Sequence, residues 1–297
     1  MRSKTLFLVL CLSIFCSRTG QGQSYIDIIH ISSQVSVTES DDSLADPTRI
    51  FDVSPSMRLP IKMKNGDALI FGIGGNIISI VPEKRKSTGI YAATLQLGYN
   101  RNWNEEWATQ FFLLPRLAAS KSGMKTDDLQ IGGLVLNTKK VTDDFKFRFG
   151  AYYNSEFFGN FFVPVFGFDW KPDSTWQIYG NLPLNTTVLC KAKPKLHFGF
   201  QFTGIITSYF LNAENHYLQR STNDLCLFAD IWLGKHLVLQ PKAGFALGRS
   251  YREYDENDQI DFAISLVKFG DDRVQLNHNI LDSPVAQFSL IYRVKVE

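Results

Sequence analysis

Lys146 and Arg148 stand two residues apart in the run Phe145-Lys146-Phe147-Arg148-Phe149, where every other position is aromatic. In an extended chain successive side chains face opposite ways. The two cations therefore share one face and the three phenylalanines the other. A cation against hydrocarbon costs about 2–4 kcal/mol at mid-membrane depth, so if the aromatic face meets lipid, the cationic face must meet a lumen. Arg116, Gln201 and Arg293 hold the equivalent polar positions of other alternating segments and complete the set of lumen-lining candidates. Their charge predicts an anion-preferring interior, unless acids such as Asp169 or Asp230 pair with them and close it.

Other residue groups carry less chemistry. Gly72-Ile73-Gly74-Gly75 has the composition of a phosphate loop, but a dinucleotide loop must open a helix and strand-like Asn76-Ile77-Ile78-Ser79-Ile80-Val81 follows. The histidines (His30, His197, His216, His236, His278) are scattered, without H-E-x-x-H spacing or cysteines at metal spacing, so no metal or cofactor is expected. No G-x-S-x-G elbow is present. A serine–histidine site on a barrel wall would draw on residues such as His197 and Ser208. The acidic run Asp255–Asp261 lacks the glycine and bidentate glutamate of a calcium loop and reads as a solvated loop. Lys84-Arg85-Lys86 reads as an exposed basic turn.

The elements that must position these residues are strands behind an export signal. Residues 1–22 read as a secretory signal: Arg2 and Lys4, an apolar core Leu6 to Cys16, and small Gly20 and Gly22 before Gln23. That leaves residues 23–297 as one barrel domain. The signal carries three cations (Arg2, Lys4, Arg18) and no acid, so its removal from 31 basic and 29 acidic side chains leaves a net charge of −1. Nothing in that balance favours nucleic acid. Cys190 and Cys226 stay in the mature chain, as one disulfide or as two thiols.

Alternation is clearest in the last segment, where Phe288, Leu290, Tyr292, Val294 and Val296 oppose Ser289, Arg293 and Lys295. Similar runs recur at Tyr91–Tyr99, Trp107–Leu117, Phe145–Tyr153 and Leu196–Thr203, and Asn65-Gly66 is a strong hairpin turn. Trp176 to Cys190 reads as one long strand bent at Pro183. With 24 Phe and 21 Gly and near-neutral mean hydropathy, the chain hides its apolar character in alternation. No run is long enough for a spanning helix. Spanning strands of 9–11 residues then predict an all-β, transmembrane antiparallel up-and-down β-barrel of about 12 strands, within 10 to 14. A secreted soluble β-sandwich or lipocalin-like cup would instead put long charges on the polar face. Here that face is mostly Gly, Thr, Gln, Asn and Ser.

The signal ending before Gln23, the Trp176…Leu182-Pro183 stretch, the Gly270-Asp271-Asp272-Arg273 loop and the closing strand Phe288–Val296 with Leu290-Ile291-Tyr292-Arg293 resemble Gram-negative outer-membrane barrels of the domain-of-unknown-function kind. The resemblance implies the bacterial outer membrane as location. Its implied partners are membrane lipid, lipopolysaccharide and the barrel-assembly machinery, with small solutes as candidate permeants. One departure is that Glu297 lies five residues past Tyr292, whereas such proteins end on an aromatic. The expected role is a small passive pore or a lumen-filled structural barrel displaying surface loops, not an enzyme. The rival classes are an outer-membrane lipid-modifying enzyme and the soluble binding protein.

Overall fold

The computed structural model describes residues 24–40, 47–82, 87–120, 128–211 and 215–296. The expected signal and the basic turn at residues 84–86 lie outside the described residues. The strands are β1 (Ser24–Thr38), β2 (Thr48–Lys62), β3 (Ala68–Pro82), β4 (Thr88–Asn102), β5 (Trp107–Ser120), β6 (Leu129–Lys140), β7 (Phe145–Glu156) and β8 (Gly159–Trp170). They continue as β9 (Trp176–Leu182), β10 (Asn185–Lys193), β11 (Leu196–Leu211), β12 (His216–Trp232), β13 (Leu237–Asp255), β14 (Phe262–Ile264), β15 (Val267–Phe269) and β16 (Ser283–Val296).

Neighbours in sequence pair antiparallel, β16 bridges β13 and β1, and β8 pairs with β9, which closes the ring. The short hairpin β14–β15 stands outside the ring, so 14 strands form the barrel. The expected range included this number. The stretch read as one bent strand, Trp176–Cys190, is in fact the hairpin β9–β10, with Asn181 opposite Asn185. Pro183 has no N–H to give to a ladder and its φ is fixed, so the chain reverses there instead of bending.

The start of β1 and the end of β16 share one rim with the tight turns at residues 63–67, 103–106, 141–144, 171–175, 194–195 and 233–236; the longer connections leave from the other rim. At Asn65-Gly66 the glycine takes φ +88°, which a side chain would resist. Asp67 behind it is buried and accepts from the Tyr99 hydroxyl (2.6 Å), Arg101 Nη1 (3.0 Å) and the Asn102 amide (2.9 Å), which ties the turn to β4. Gly72–Gly75 lies inside β3. A Cβ on Gly75 would stand 2.3 Å from the Ala92 carbonyl oxygen, so this glycine serves close strand approach.

The outer face is a belt of exposed aliphatic and aromatic side chains, among them Ile31, Phe71, Leu113, Ile131, Phe200 and Leu290. Phe147, Phe200 and Tyr292 are 38%, 39% and 41% exposed, so the large hydrocarbon groups point outward. Exposed Trp103, Trp170 and Tyr292 mark the tight-turn rim, as interfacial aromatics do in membrane barrels. A continuous apolar surface of this extent is covered only by acyl chains or a partner. No helix among the described residues is long and apolar enough to cross a membrane.

Inside, the fill changes along the axis. In the tight-turn half polar side chains surround one small apolar cluster, Trp232, Val238 and Ile291. The long-loop half holds two apolar clusters, one centred on Ile50, Ile78, Ile90, Tyr209, Leu218 and Tyr251, the other on Leu136, Phe158, Phe161, Val163, Tyr217 and Tyr254. The expected small-polar interior is therefore corrected for this half. The alternation pattern assigns faces but cannot distinguish an apolar group facing lipid from one facing a packed interior.

Candidate functional site: the closed lumen and its seam

The interior polar groups are paired in tiers. Nearest the tight turns, Arg293 Nη1 meets Asp230 Oδ2 at 2.6 Å, its other nitrogens bind the Asp27 carboxylate, and Gln240 also donates to Asp230. Alternation brings these together: Asp27 faces Arg293 across the β1–β16 ladder. Midway, Lys242 binds the Gln201 side-chain oxygen (2.5 Å), and Gln201 donates to Thr187. Arg220, 3% exposed, pairs with Asp52 at 2.9 Å across the lumen, while Gln34 donates to Asp224.

At the long-loop end Glu156 is the hub of a buried knot. One of its oxygens accepts from the Ser208 amide (2.7 Å), the Ser208 hydroxyl (2.7 Å) and Gln130 Nε2 (3.0 Å); the other accepts from Asn154 Nδ2 (2.7 Å). Arg116 donates to Gln130 and, at 3.0 Å, to the Ser208 carbonyl, and its guanidinium lies 4.8 Å from the Tyr209 ring centre. Asn76 donates to the Tyr209 hydroxyl at 2.6 Å. These bonds hold the end of β11 against β3, β5, β6 and β7. Phe210 of β11 even forms a parallel bridge with Ala119 of β5. In the ring these strands stand on nearly opposite walls, so at that end strand meets strand across the lumen.

The sequence-predicted residues lie at separate levels. Arg116 sits in the knot, Gln201 with Lys242 midway, and Arg293 in its carboxylate pair near the tight turns. Arg148 is half-buried, on the strand face opposite Phe147 and Phe149, next to Gly167. Lys146 is exposed near the tight-turn rim, with Asp169 across the ladder. His197 and Ser208 share β11 but are eleven residues apart, roughly 35 Å along a strand, and Ser208 is committed to Glu156. Cys190 and Cys226 form no disulfide. Asp52, Glu156, Gln130, Arg220 and Lys242 escaped sequence reasoning. Arg220 lies in His216–Asp224, where polar residues occupy both faces and no alternation shows.

A cavity of about 670 Å³ remains between the midway tier and the knot. Its polar lining includes His30, Asp52, Gln96, Arg116, Asn154 and Arg220. Three of these carry buried atoms without a hydrogen-bond partner among the described residues: His30 Nε2, Asn154 Oδ1 and Arg220 Nε. Its apolar lining includes Phe161, Val163, Leu184, Phe202, Ile206 and Leu266.

That apolar side coincides with a break in the wall. β8 pairs with β7 over its whole length, but with β9 only from Phe166 to Trp170. β10 likewise leaves β11 at Thr203. The reversal at Pro183–Leu184 therefore ends partway up the barrel, where the Leu184 carbonyl accepts from the Gly204 amide at 2.9 Å. Above it, no strand among the described residues pairs β8 to β11 until the β7–β8 turn meets the end of β11 again, where the Phe157 amide donates to the Ser208 hydroxyl at 2.8 Å. The hairpin β14–β15 fills the upper part of the notch. Phe262–Ile264 runs parallel to Asn160–Phe162, and the Ser265 amide binds the Phe162 carbonyl at 2.8 Å. Phe262, Ile264, Val267 and Phe269 are exposed, so the hairpin continues the apolar belt. Its tip, Leu266, is 78% exposed and still lines the cavity.

The NanC porin aligns over 89% of this chain and 100% of its own at 8% identity, with a TM-score of 0.38. An outer membrane channel from Pseudomonas putida F1 covers 95% of this chain and 98% of its own at 8% identity, TM-score 0.43. A mutant TodX monoaromatic hydrocarbon channel covers 94% and 91% at 9% identity, TM-score 0.42. No curated protein sequence matches the chain. The family model of a domain of unknown function, DUF6268, matches residues 79–262, more than half of the chain. The chain belongs to the DUF6268 family.

Proposed function

We propose that this protein spans the bacterial outer membrane as a closed, lumen-filled barrel and does not conduct solutes freely. The β5–β11 bridge at Phe210 and Ala119 carries this reading, because it joins nearly opposite walls across the channel axis. The pairing of Arg220 and Arg293 with interior carboxylates supports it, since a free anion path would need those cations unpaired. Lys146, Arg148, Arg116, Gln201 and Arg293 then act as lumen-lining residues that fill and orient the barrel. The apolar belt contacts acyl chains. The long-loop rim faces lipopolysaccharide headgroups, and the barrel-assembly machinery inserts the chain. Structural roles of this kind need no catalytic residue.

Planar-bilayer recording of the purified protein tests the closed lumen: the expected result is silence, and discrete, stable conductance steps would overturn it. The membrane reading is tested by gel mobility. A folded barrel migrates differently before and after boiling, and a chain that stays monomeric and folded after detergent is removed would refute it.

A further inference from the structure

We propose that the notch between β8 and β11 is a lateral entrance, through which a single-chain amphiphile with a carboxylate head passes from the membrane into the central cavity. The inference rests on the membrane reading and adds a ligand class to it. Gly204, Ile205, Ile206 and Thr207 of β11 all line the cavity. Consecutive residues point to opposite faces of a strand, so the cavity wraps around the unpaired edge of β11 instead of stopping at an inner wall. The cavity thus reaches the notch, and Leu266 belongs both to it and to the exposed apolar surface. Its volume of about 670 Å³ lies within the roughly 300–1,000 Å³ of small-molecule sites.

The lining is divided as an amphiphile is. Phe161, Val163, Leu184, Ile206 and Leu266 form the membrane side. The deep side holds Arg116 and Arg220; Asp52, which Arg220 already binds, is the carboxylate of the lining, and Glu156 behind it is taken up by Ser208, Gln130 and Asn154. Arg116 is bonded to neutral acceptors, the Gln130 side chain and the Ser208 carbonyl. Of the orphaned atoms in the lining, Asn154 Oδ1 lacks a donor, whereas Arg220 Nε and His30 Nε2, each nitrogen a candidate donor, lack an acceptor among the described residues. A buried polar atom without a partner is costly, and a carboxylate head supplies an acceptor for the Arg220 nitrogen. The acyl chain follows the apolar lining back toward Leu266.

The test uses the full chain in lipid nanodiscs with a diazirine-bearing palmitic acid, photolysed and mapped by peptide mass spectrometry. Label is expected on Ile206, Val163 or Leu266 and is competed by unmodified palmitic acid, while label on the belt (Ile31, Leu290) is not competed. Ile206→Trp, which fills the apolar lining, is expected to cut cavity label by about tenfold or more, equivalent to roughly 1.4 kcal/mol of affinity. If that variant loses its heat-modifiable mobility, Leu266→Asp at the entrance replaces it with the same expectation. The methyl ester of the probe is expected to label the cavity far less. Belt label with an unlabelled cavity overturns the proposal and leaves the membrane barrel standing. Cavity label that neither palmitic acid nor the variants reduce also overturns it, as general lipid seepage. Equal labelling by acid and ester refutes the carboxylate head. Absence of label from the belt as well refutes the membrane reading instead.

Discussion

Replacing Glu156 with alanine should unfasten the closed mouth of the barrel. The carboxylate takes bonds from the Ser208 amide and hydroxyl, Gln130 and Asn154, and the residue is only 6% exposed. Its loss takes the acceptor from the Ser208 N–H and hydroxyl and from the Asn154 side-chain amide, while Gln130 keeps the Ser208 hydroxyl oxygen; each buried donor so stranded costs about 1–3 kcal/mol. Some of this is recovered by relaxation and by no longer burying a charge, so a net 3–4 kcal/mol is a reasonable magnitude for breaking one side of a buried ionic network. Because that energy holds the end of β11 across the lumen, the open-mouth population should rise by about a hundred- to a thousandfold. Planar-bilayer recordings should then pass from silence to brief, irregular openings, and the amides of Thr207 to Phe210 should exchange correspondingly faster. Glu156→Gln, which keeps the volume and one acceptor, should fall between the two. If Glu156→Ala stays silent and its β11 amides exchange at the wild-type rate, the apolar clusters alone hold the mouth shut and the reasoning fails.

Leu290→Arg on the outer belt should destabilise the barrel in lipid vesicles by about 2–4 kcal/mol, read from urea titration; an unchanged midpoint would mean that this face does not meet hydrocarbon. Arg293→Met should leave Asp27 and Asp230 facing each other unpaired and cost about 3–5 kcal/mol, seen as lower-temperature loss of heat-modifiable mobility, while adding Asp27→Asn and Asp230→Asn should restore most of it. In the connection after β15, hydrogen bonds from Arg273 hold the Asp271 carboxyl down at about 2, from an ordinary 3.8. The folded loop therefore binds fewer protons than the unfolded one. Its contribution is complete above the ordinary value and is lost as the pH falls through about 2. Amide exchange at Leu276, whose N–H binds the Glu253 carbonyl, corrected for intrinsic rates, should accelerate across that interval, and Asp271→Asn should remove the dependence.

Alternation, together with the small polar residues of the wet face, determined that this chain is a barrel with its hydrocarbon outward. Period two is a local property of the backbone, so Phe147 and Arg148, or Tyr292 and Arg293, are assigned to opposite faces without knowledge of any neighbour. The turn at Asn65-Gly66 was legible for the same reason, because the requirement for positive φ sits in the residue itself. What fills the barrel was not legible. The pairs Arg220–Asp52 and Glu156–Ser208 join residues 168 and 52 positions apart, and no local pattern encodes which wall lies opposite which. The hairpin at Pro183 carried a local mark, a proline in a strand. Its consequence, a wall that stops partway up and a cavity reaching the notch, depends on where β8 and β11 stand once the ring has closed. Faces are fixed by the covalent geometry of successive residues, whereas the lumen is shaped by contacts across the barrel that exist only after the last strand meets the first.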